Sequence, residues 1–146
     1  MCGLQNNLGL KLSFYEVGPG MTRTEATISE SFQGYPGIVH GGVVAAMLDE
    51  AAGRTVMNNE NPGLVVVTGR MEIRYRKPVP TGCPLIITGE MVKDKGVVSK
   101  AIGKINDVQG NVLAEALVTL VEIPPNLRNQ IAWKPEDWKI YPDGEV

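Results

Sequence analysis

One carboxylate stands in a segment that otherwise holds mostly small and apolar residues. Asp49 belongs to residues 37–54, which are typical of a buried helix, and the chain's single histidine, His40, precedes a glycine pair, Gly41 and Gly42, in the same segment. At about 100° per residue, Asp49 shares a helix flank with Gly42 and with no basic residue. Burying a carboxylate there is costly unless a partner holds it. Asp49 is therefore a candidate for acid–base chemistry, because burial tunes carboxylate basicity.

The neighbouring acidic residue has a plainer interpretation. Glu50 points away from the Asp49 flank and lies four residues before Arg54. That spacing places the two side chains next to each other on a helix. We expect an ordinary, solvated ion pair with no part in chemistry.

A second candidate group is the backbone at the start of the helix. The first turn of a helix presents unpaired N–H groups and a partial positive charge, and Gly41 and Gly42 would let a ligand approach them closely. His40 and Asp49 are separated by roughly 13.5 Å of helical rise and about half a turn, so they cannot meet within one chain. Two copies with antiparallel helices would bring Asp49 of one chain to the glycines of the other. The chemistry implied is attack on a carbonyl, by water or by the carboxylate, with the amides stabilising the oxyanion.

Composition narrows the class of protein. The chain has 146 residues, 43% hydrophobic and 21% charged, with a formal net charge of −2. This predicts a single globular domain over residues 1–146, and the charge argues against nucleic-acid binding. No apolar run reaches the roughly 20 residues of a membrane span, and the N-terminus does not resemble a secretory signal. The two cysteines, Cys2 and Cys83, form no disulfide framework, so we expect a cytoplasmic protein. No cluster of metal ligands is apparent.

Periodicity and turn signals predict the elements that must position these groups. The order is two strands, one long helix and four further strands, at residues 8–17, 21–28, 40–57, 64–76, 85–92, 97–105 and 112–123, with a loop at 31–39. The short later connections favour antiparallel pairing, and a helix that is apolar almost all round must be covered on most sides. The predicted fold class is α+β, with one long central helix wrapped by a curved antiparallel sheet. The tail, 124–146, looks irregular, and its aromatic residues Trp133, Trp138 and Tyr141 suggest that it docks.

The strand at 64–76 alternates between two faces. Its expected buried face carries Val65, Val67, Met71, Ile73 and Tyr75. Its expected wet face carries Thr68, Arg70, Glu72, Arg74 and Arg76.

These motifs resemble a known family. Residues 32–42, which read Phe-Gln-Gly-Tyr-Pro-Gly-Ile-Val-His-Gly-Gly, together with Met-Leu-Asp at 47–49 and Tyr-Arg-Lys-Pro at 75–78, are similar to the signature of hotdog-fold thioesterases of the PaaI-like acyl-CoA type. The resemblance covers residues 8–123. It implies the hotdog fold and a homodimer, which could pair further into a tetramer.

The resemblance also implies roles for individual residues. Asp49 matches the base or nucleophile, and Gly41 the glycine whose N–H polarises the thioester carbonyl. His40 matches the histidine that shapes this corner of the site, and Thr68 the hydroxyl that helps hold the attacking water. Thr68 lies on the wet face of its strand, so it reaches the site only if Gly69 marks a bulge or if that face meets a partner chain.

A second departure concerns the substrate-binding residues. Some family members carry an asparagine six residues before the histidine, where this chain has Gly34, so that contact with the thioester is absent. Gly42 would line the site beside Gly34. Arg70, Arg74 and Arg76 could contact the coenzyme A phosphates, although a row of charges on one strand face is usually only solvated.

Structural interpretations of the same residues stay open. Asp49 could accept hydrogen bonds from a loop, His40 could only cap the helix, the glycines could serve close packing, and Thr68 could be a plain strand residue.

The predicted function is hydrolysis of an acyl-CoA thioester to a carboxylic acid and coenzyme A, with no cofactor beyond the coenzyme A of the substrate. The alternatives are a dehydratase or hydratase of acyl thioesters on the same fold, or a non-catalytic acyl-CoA-binding protein. The sequence does not fix the acyl group.

Overall fold

The computed structural model describes residues 3–57, 64–132 and 139–142. In chain order the elements are β1 (Phe14–Gly18), β2 (Met21–Thr27), a 3₁₀ turn (Glu30–Phe32), β3 (Gln33–Tyr35), β4 (Ile38–Val39), α1 (Gly41–Arg54), β5 (Val66–Tyr75), β6 (Pro84–Asp94), β7 (Val98–Asn106), β8 (Val112–Glu122), α2 (Pro125–Arg128) and β9 (Ile140–Pro142).

One large sheet and one long helix make up the core. Seven strands pair in the order β5-β8-β7-β6-β2-β1-β9, and every pairing is antiparallel except that of β1 with β9. Helix α1 packs against β6, β7 and β8 through side chains such as Met47, Leu48 and Ala51, none of which is exposed. The predicted α+β fold, with a central helix on an antiparallel sheet, is confirmed. Among the described residues, no helix has the length and apolar character to cross a membrane.

The helix lies unusually close to the sheet because two glycines face it. Gly89 of β6 and Gly103 of β7 are register partners. A Cβ atom at Gly89 would lie 2.1 Å from the carbonyl oxygen of Ala51, and one at Gly103 would lie 2.6 Å from that of Leu48. Only residues without a side chain let the helix backbone approach the sheet this closely, so this pair sets the height of α1 and of the groups it carries.

Several predicted boundaries need correction. The first strand begins at Phe14 instead of residue 8, and α1 spans Gly41–Arg54 instead of 40–57. The loop expected at 31–39 contains a small hairpin of β3 and β4. On β5 the expected buried face is wrong at Val67 and Tyr75, which are 48% and 55% exposed. Tyr75 still faces α1, where its hydroxyl meets the Gly41 carbonyl. The ladder with β8 shifts register between Thr68 and Arg70, and such a bulge exchanges the faces of the residues on its two sides.

The described part of the tail docks on the sheet. Strand β9 adds to the edge of β1, where Phe14 pairs with Ile140, and the rings of Tyr15 and Tyr141 lie 5.7 Å apart. The expectation that Tyr141 docks is confirmed, and the tail holds α2 and β9 where we expected irregular structure. Trp133 and Trp138 lie outside the described residues.

Candidate active site

His40 closes the first turn of α1. Its backbone is extended, and its imidazole Nδ1 accepts a hydrogen bond from the Gly42 N–H at 3.0 Å. A Cβ atom at Gly42 would lie 3.2 Å from that nitrogen, so glycine at this position makes room for the ring. The accepted bond satisfies one of the unpaired amides of the helix start. With Nδ1 occupied as an acceptor, the neutral ring carries its proton on Nε2.

The amide of Gly41 remains available to a ligand. As the first helical residue it has no intrahelical acceptor, and no group among the described residues accepts its N–H. Tyr75 of β5 donates its hydroxyl to the Gly41 carbonyl at 2.9 Å and so braces the first turn from the side. Sequence analysis did not select Tyr75 as a site residue, although its place on the inward face of β5 after the bulge was a usable signal.

A cavity of about 500 Å³ opens at this helix start. His40, Gly41 and Tyr75 line it, and Arg76 and Lys77 add two cationic side chains. The cavity therefore combines an unpaired amide donor, apolar walls and positive charge.

Asp49 is held by Thr68. The Thr68 hydroxyl donates to Asp49 Oδ1 at 2.5 Å, which links α1 to β5. The register shift at Gly69 turns Thr68 toward the helix, so the first of the two conditions stated for Thr68, a bulge at Gly69, is met. A Cβ atom at Gly69 would lie 3.0 Å from the Val121 side chain, which favours glycine in the bulge. This contact fixes the carboxylate and leaves Oδ2 free of side-chain partners among the described residues.

The carboxylate and the helix start occupy different cavities. Asp49 and Thr68 line a pocket of about 90 Å³, with Val66 and Leu120 among its walls, and none of its lining residues belongs to the cavity at His40. Within one chain the structure thus separates Asp49 from Gly41, in line with the helical spacing. One cavity holds a carboxylate and the other a backbone amide without an acceptor among the described residues.

The expectation of a solvated Glu50–Arg54 pair is wrong. Arg54 is only 4% exposed. Its Nε and Nη2 donate to Glu50 Oε1 at 2.8 and 2.5 Å, and its Nη1 donates to the backbone carbonyl of Lys139 at 2.9 Å. The i,i+4 spacing was interpreted correctly, but the C-terminal segment covers this flank of the helix.

The expected substrate-binding residues are divided between two places. Arg76 lines the cavity at His40 and bonds Glu115 at 2.5 Å. Arg70 pairs with Glu72 in solvent, and Arg74 is exposed; neither of these two arginines lines that cavity.

The two remaining expected positions, Gly34 and Gly42, both lie against His40. A Cβ atom at Gly34 would be 3.3 Å from the His40 Cα, so the glycine that replaces the family's asparagine packs on the histidine. In the part of the chain that the structure describes, no three acidic, histidine or cysteine side chains converge on a metal-sized gap.

The chain is similar to known thioesterases in sequence and in fold. The model of the thioesterase superfamily matches residues 36–100. The acyl-coenzyme A thioesterase THEM4 of Rattus norvegicus is 33% identical over 64 residues, which are 44% of this chain and 26% of that protein. The chain thus matches only about a quarter of the length of that relative.

Solved structures extend the match to the whole fold. A thioesterase superfamily protein with 30% identity superposes with a TM-score of 0.73 over 83% of this chain and 61% of the other. A Streptococcus mutans UA159 protein bound to acetyl CoA, 19% identical, gives 0.71 over 82% of this chain and 94% of its own. The chain is therefore similar to thioesterase superfamily proteins in sequence and has the hotdog fold of these neighbours.

Proposed function

We propose that the protein hydrolyses an acyl-CoA thioester to a carboxylic acid and coenzyme A, as a homodimer or a pair of dimers. The observation that carries this proposal is the division of the site. One cavity holds the carboxylate of Asp49, fixed by Thr68 at 2.5 Å, and a separate one holds the unpaired Gly41 amide. Each half lacks what the other supplies, and a second copy of the chain can bring the two together.

The chemistry follows from the two groups. Asp49 takes a proton from water, and the water oxygen bonds to the thioester carbonyl carbon. The Gly41 N–H, at the positive end of α1, donates to the oxygen that becomes negative. The carbon–sulfur bond then breaks, and the sulfur leaves as the thiol of coenzyme A after receiving the proton. Direct attack by Asp49 would form an acyl-aspartate anhydride that water hydrolyses, with the same net products.

The surface around Asp49 supports pairing of two chains. The less buried flank of α1 carries Gly42, Ala45, Asp49 and Gly53, and small side chains let two helices approach closely. Strand β5, which carries Thr68, is an edge of the large sheet. An antiparallel pair about a two-fold axis would place the same flank of both helices face to face.

The substrate class rests on the cavity and the relatives. The rat relative is named an acyl-coenzyme A thioesterase, and the Streptococcus mutans structure holds acetyl CoA. Arg76 and Lys77 at the cavity offer cations to phosphate oxygens, and the apolar walls suit an acyl or pantetheine chain.

A panel of acyl-CoA and aryl-CoA esters, followed by release of free thiol, tests the reaction. We expect thiol release by the wild-type protein and a roughly 100- to 10,000-fold loss in Asp49→Asn, because a positioned base contributes about that factor. Conversion of an enoyl-CoA without thiol release would indicate a hydratase instead. Tight binding measured by calorimetry, without turnover, would indicate a binding protein.

Subunit mixing tests the division of the site. Gly41→Pro removes the amide hydrogen at a position where helices accept proline. The added ring has room, since a Cβ atom at Gly41 would lie 3.7 Å from the Tyr75 ring, and the extended backbone of His40, at φ −56° and ψ 136°, suits a residue before proline. Asp49→Asn and Gly41→Pro should each be inactive. After co-refolding, each mixed dimer holds one intact site, so random pairing gives about a quarter of wild-type activity. If the site lay within one chain, mixing would restore nothing.

A further inference from the structure

We propose that Arg54, anchored by the C-terminal strand, is a positioning residue that neutralises Glu50 and leaves Asp49, among the described residues, as the only uncompensated charge of its cavity. This inference rests on the proposed function, because it concerns the same carboxylate. It assigns a role in catalysis to the tail of the chain, which lies far from Asp49 in sequence.

The guanidinium of Arg54 is held from two sides. Its Nε and Nη2 bond Glu50 Oε1, and its Nη1 bonds the Lys139 carbonyl at 2.9 Å. Lys139 immediately precedes β9, which pairs with β1, so the docked tail fixes this carbonyl. The Arg54 side chain is 5% exposed and that of Glu50 is 14% exposed. Because the planar guanidinium group of Arg54 donates to both of these partners, it has little freedom to turn toward Asp49.

Charge explains why this arrangement matters for the reaction. Among the described residues, the charged groups that line the Asp49 cavity are Asp49, Glu50 and Arg54. Thr68 of β5 is neutral, and Leu120 of β8 is apolar. A second free carboxylate beside Asp49 would make the ionised form of Asp49 less favourable, and a free guanidinium would stabilise that form and weaken it as a base. In the closed pair, the two opposite charges lie within hydrogen-bond distance of each other.

The test is the acid limb of the pH profile of kcat/KM, where the base becomes deprotonated as pH rises. Glu50→Gln leaves the Arg54 charge uncompensated and should move the midpoint to lower pH. Arg54→Met leaves Glu50 uncompensated and should move it to higher pH. We expect about 0.5–1 pH unit each, less than the roughly 1–3 units that a directly contacting charge produces. The double variant, neutral again, should return to the wild-type midpoint.

A matched pair elsewhere provides the control. Arg23 and Glu25 form an exposed ion pair on β2, with side chains 43% and 68% exposed. Glu25→Gln and Arg23→Met make the same chemical changes and should leave the midpoint unchanged. A loss of activity in both Glu50 and Arg54 variants without opposite shifts would mean a structural role only, and it overturns the inference. Asp49→Asn distinguishes this failure from failure of the proposed function. If that variant kept its activity, Asp49 would not be the base, and the proposed function itself would fail.

A second measurement tests the proposal if Glu50→Gln or Arg54→Met does not fold. Arg54→Lys keeps the charge but cannot bond Glu50 and the Lys139 carbonyl with the same fork. We expect an unchanged midpoint, together with at least tenfold faster hydrogen exchange at the amide, of Ile140 or Tyr141, that bonds β1; the other points away from this edge strand's single neighbour. Exchange that matches the wild-type rate would show that Arg54 does not anchor β9, and would overturn the proposal.

Discussion

Thr68 offers the most direct test of how Asp49 is held. Thr68→Val keeps the size and branching of the side chain and removes the hydroxyl that donates to Asp49 Oδ1 at 2.5 Å. A hydrogen bond to a charged group contributes about 1.5–3 kcal/mol. Because Thr68 is exposed in the single chain, we take the lower end of this range. At roughly 1.4 kcal/mol per factor of ten, the loss in kcat/KM should be about tenfold.

The assay is thiol release from an ester that the wild-type protein hydrolyses, with Thr68→Ser as the matched variant. Serine keeps a donor at the same position and should retain most of the activity. Melting temperatures of both variants, measured beside the wild type, separate a loss of positioning from a loss of folding. If Thr68→Val were within twofold of both Thr68→Ser and the wild type, the hydroxyl would not position the carboxylate, and the reasoning would be refuted.

The remaining predictions concern the elements that carry the site. Gly42→Ala would place Cβ 3.2 Å from the His40 Nδ1 and should cost about 1 kcal/mol of stability through the weakened cap, measured by thermal unfolding. In Gly103→Ala, the added Cβ atom would lie 2.6 Å from the Leu48 carbonyl oxygen. The free energy of unfolding, measured in urea, should fall by about 1–3 kcal/mol, and an unchanged urea midpoint would contradict the close approach of α1. Asp107 accepts a side-chain hydrogen bond from Asn111 and further backbone bonds, which hold its pKa below 3.8. The resulting stabilisation is present above the unfolded-state pKa and is lost as pH falls through the lowered folded-state pKa, so an NMR titration of the Asp107 carboxyl should give a midpoint below 3.8.

Local patterns predicted the parts of the site that depend on neighbouring residues. The glycine pair after His40 indicated an open helix start. The isolated carboxylate of Asp49 indicated a residue needing a partner, and a bulge at Gly69 was one of two ways for Thr68 to reach the site. Each of these depends on a few residues along one element, where spacing and residue type determine direction. The same reasoning separated Asp49 from His40, since helical rise alone keeps them apart.

Contacts between distant segments were not predictable in this way. The burial of Arg54 depends on Lys139, 85 residues later, and no local pattern indicates which helix flank the tail covers. The error at Val67 arose because we continued the alternation of buried and exposed residues through the bulge, which exchanges the two faces of the strand. No local pattern singles out Gly89 and Gly103, and their role emerges only when the helix lies across them.

The bulge at Gly69 connects these observations. Without the register shift, Thr68 would point to the outer face of the sheet and Asp49 would lose the partner that holds it. The same shift keeps Tyr75 directed at the Gly41 carbonyl further along β5, so a single strand braces both halves of the proposed site. Because β5 is also an edge of the sheet, the strand that orders the two half-sites is available to meet a second copy. A division of the chemistry between two subunits therefore requires only one irregular strand and one helix in each of them.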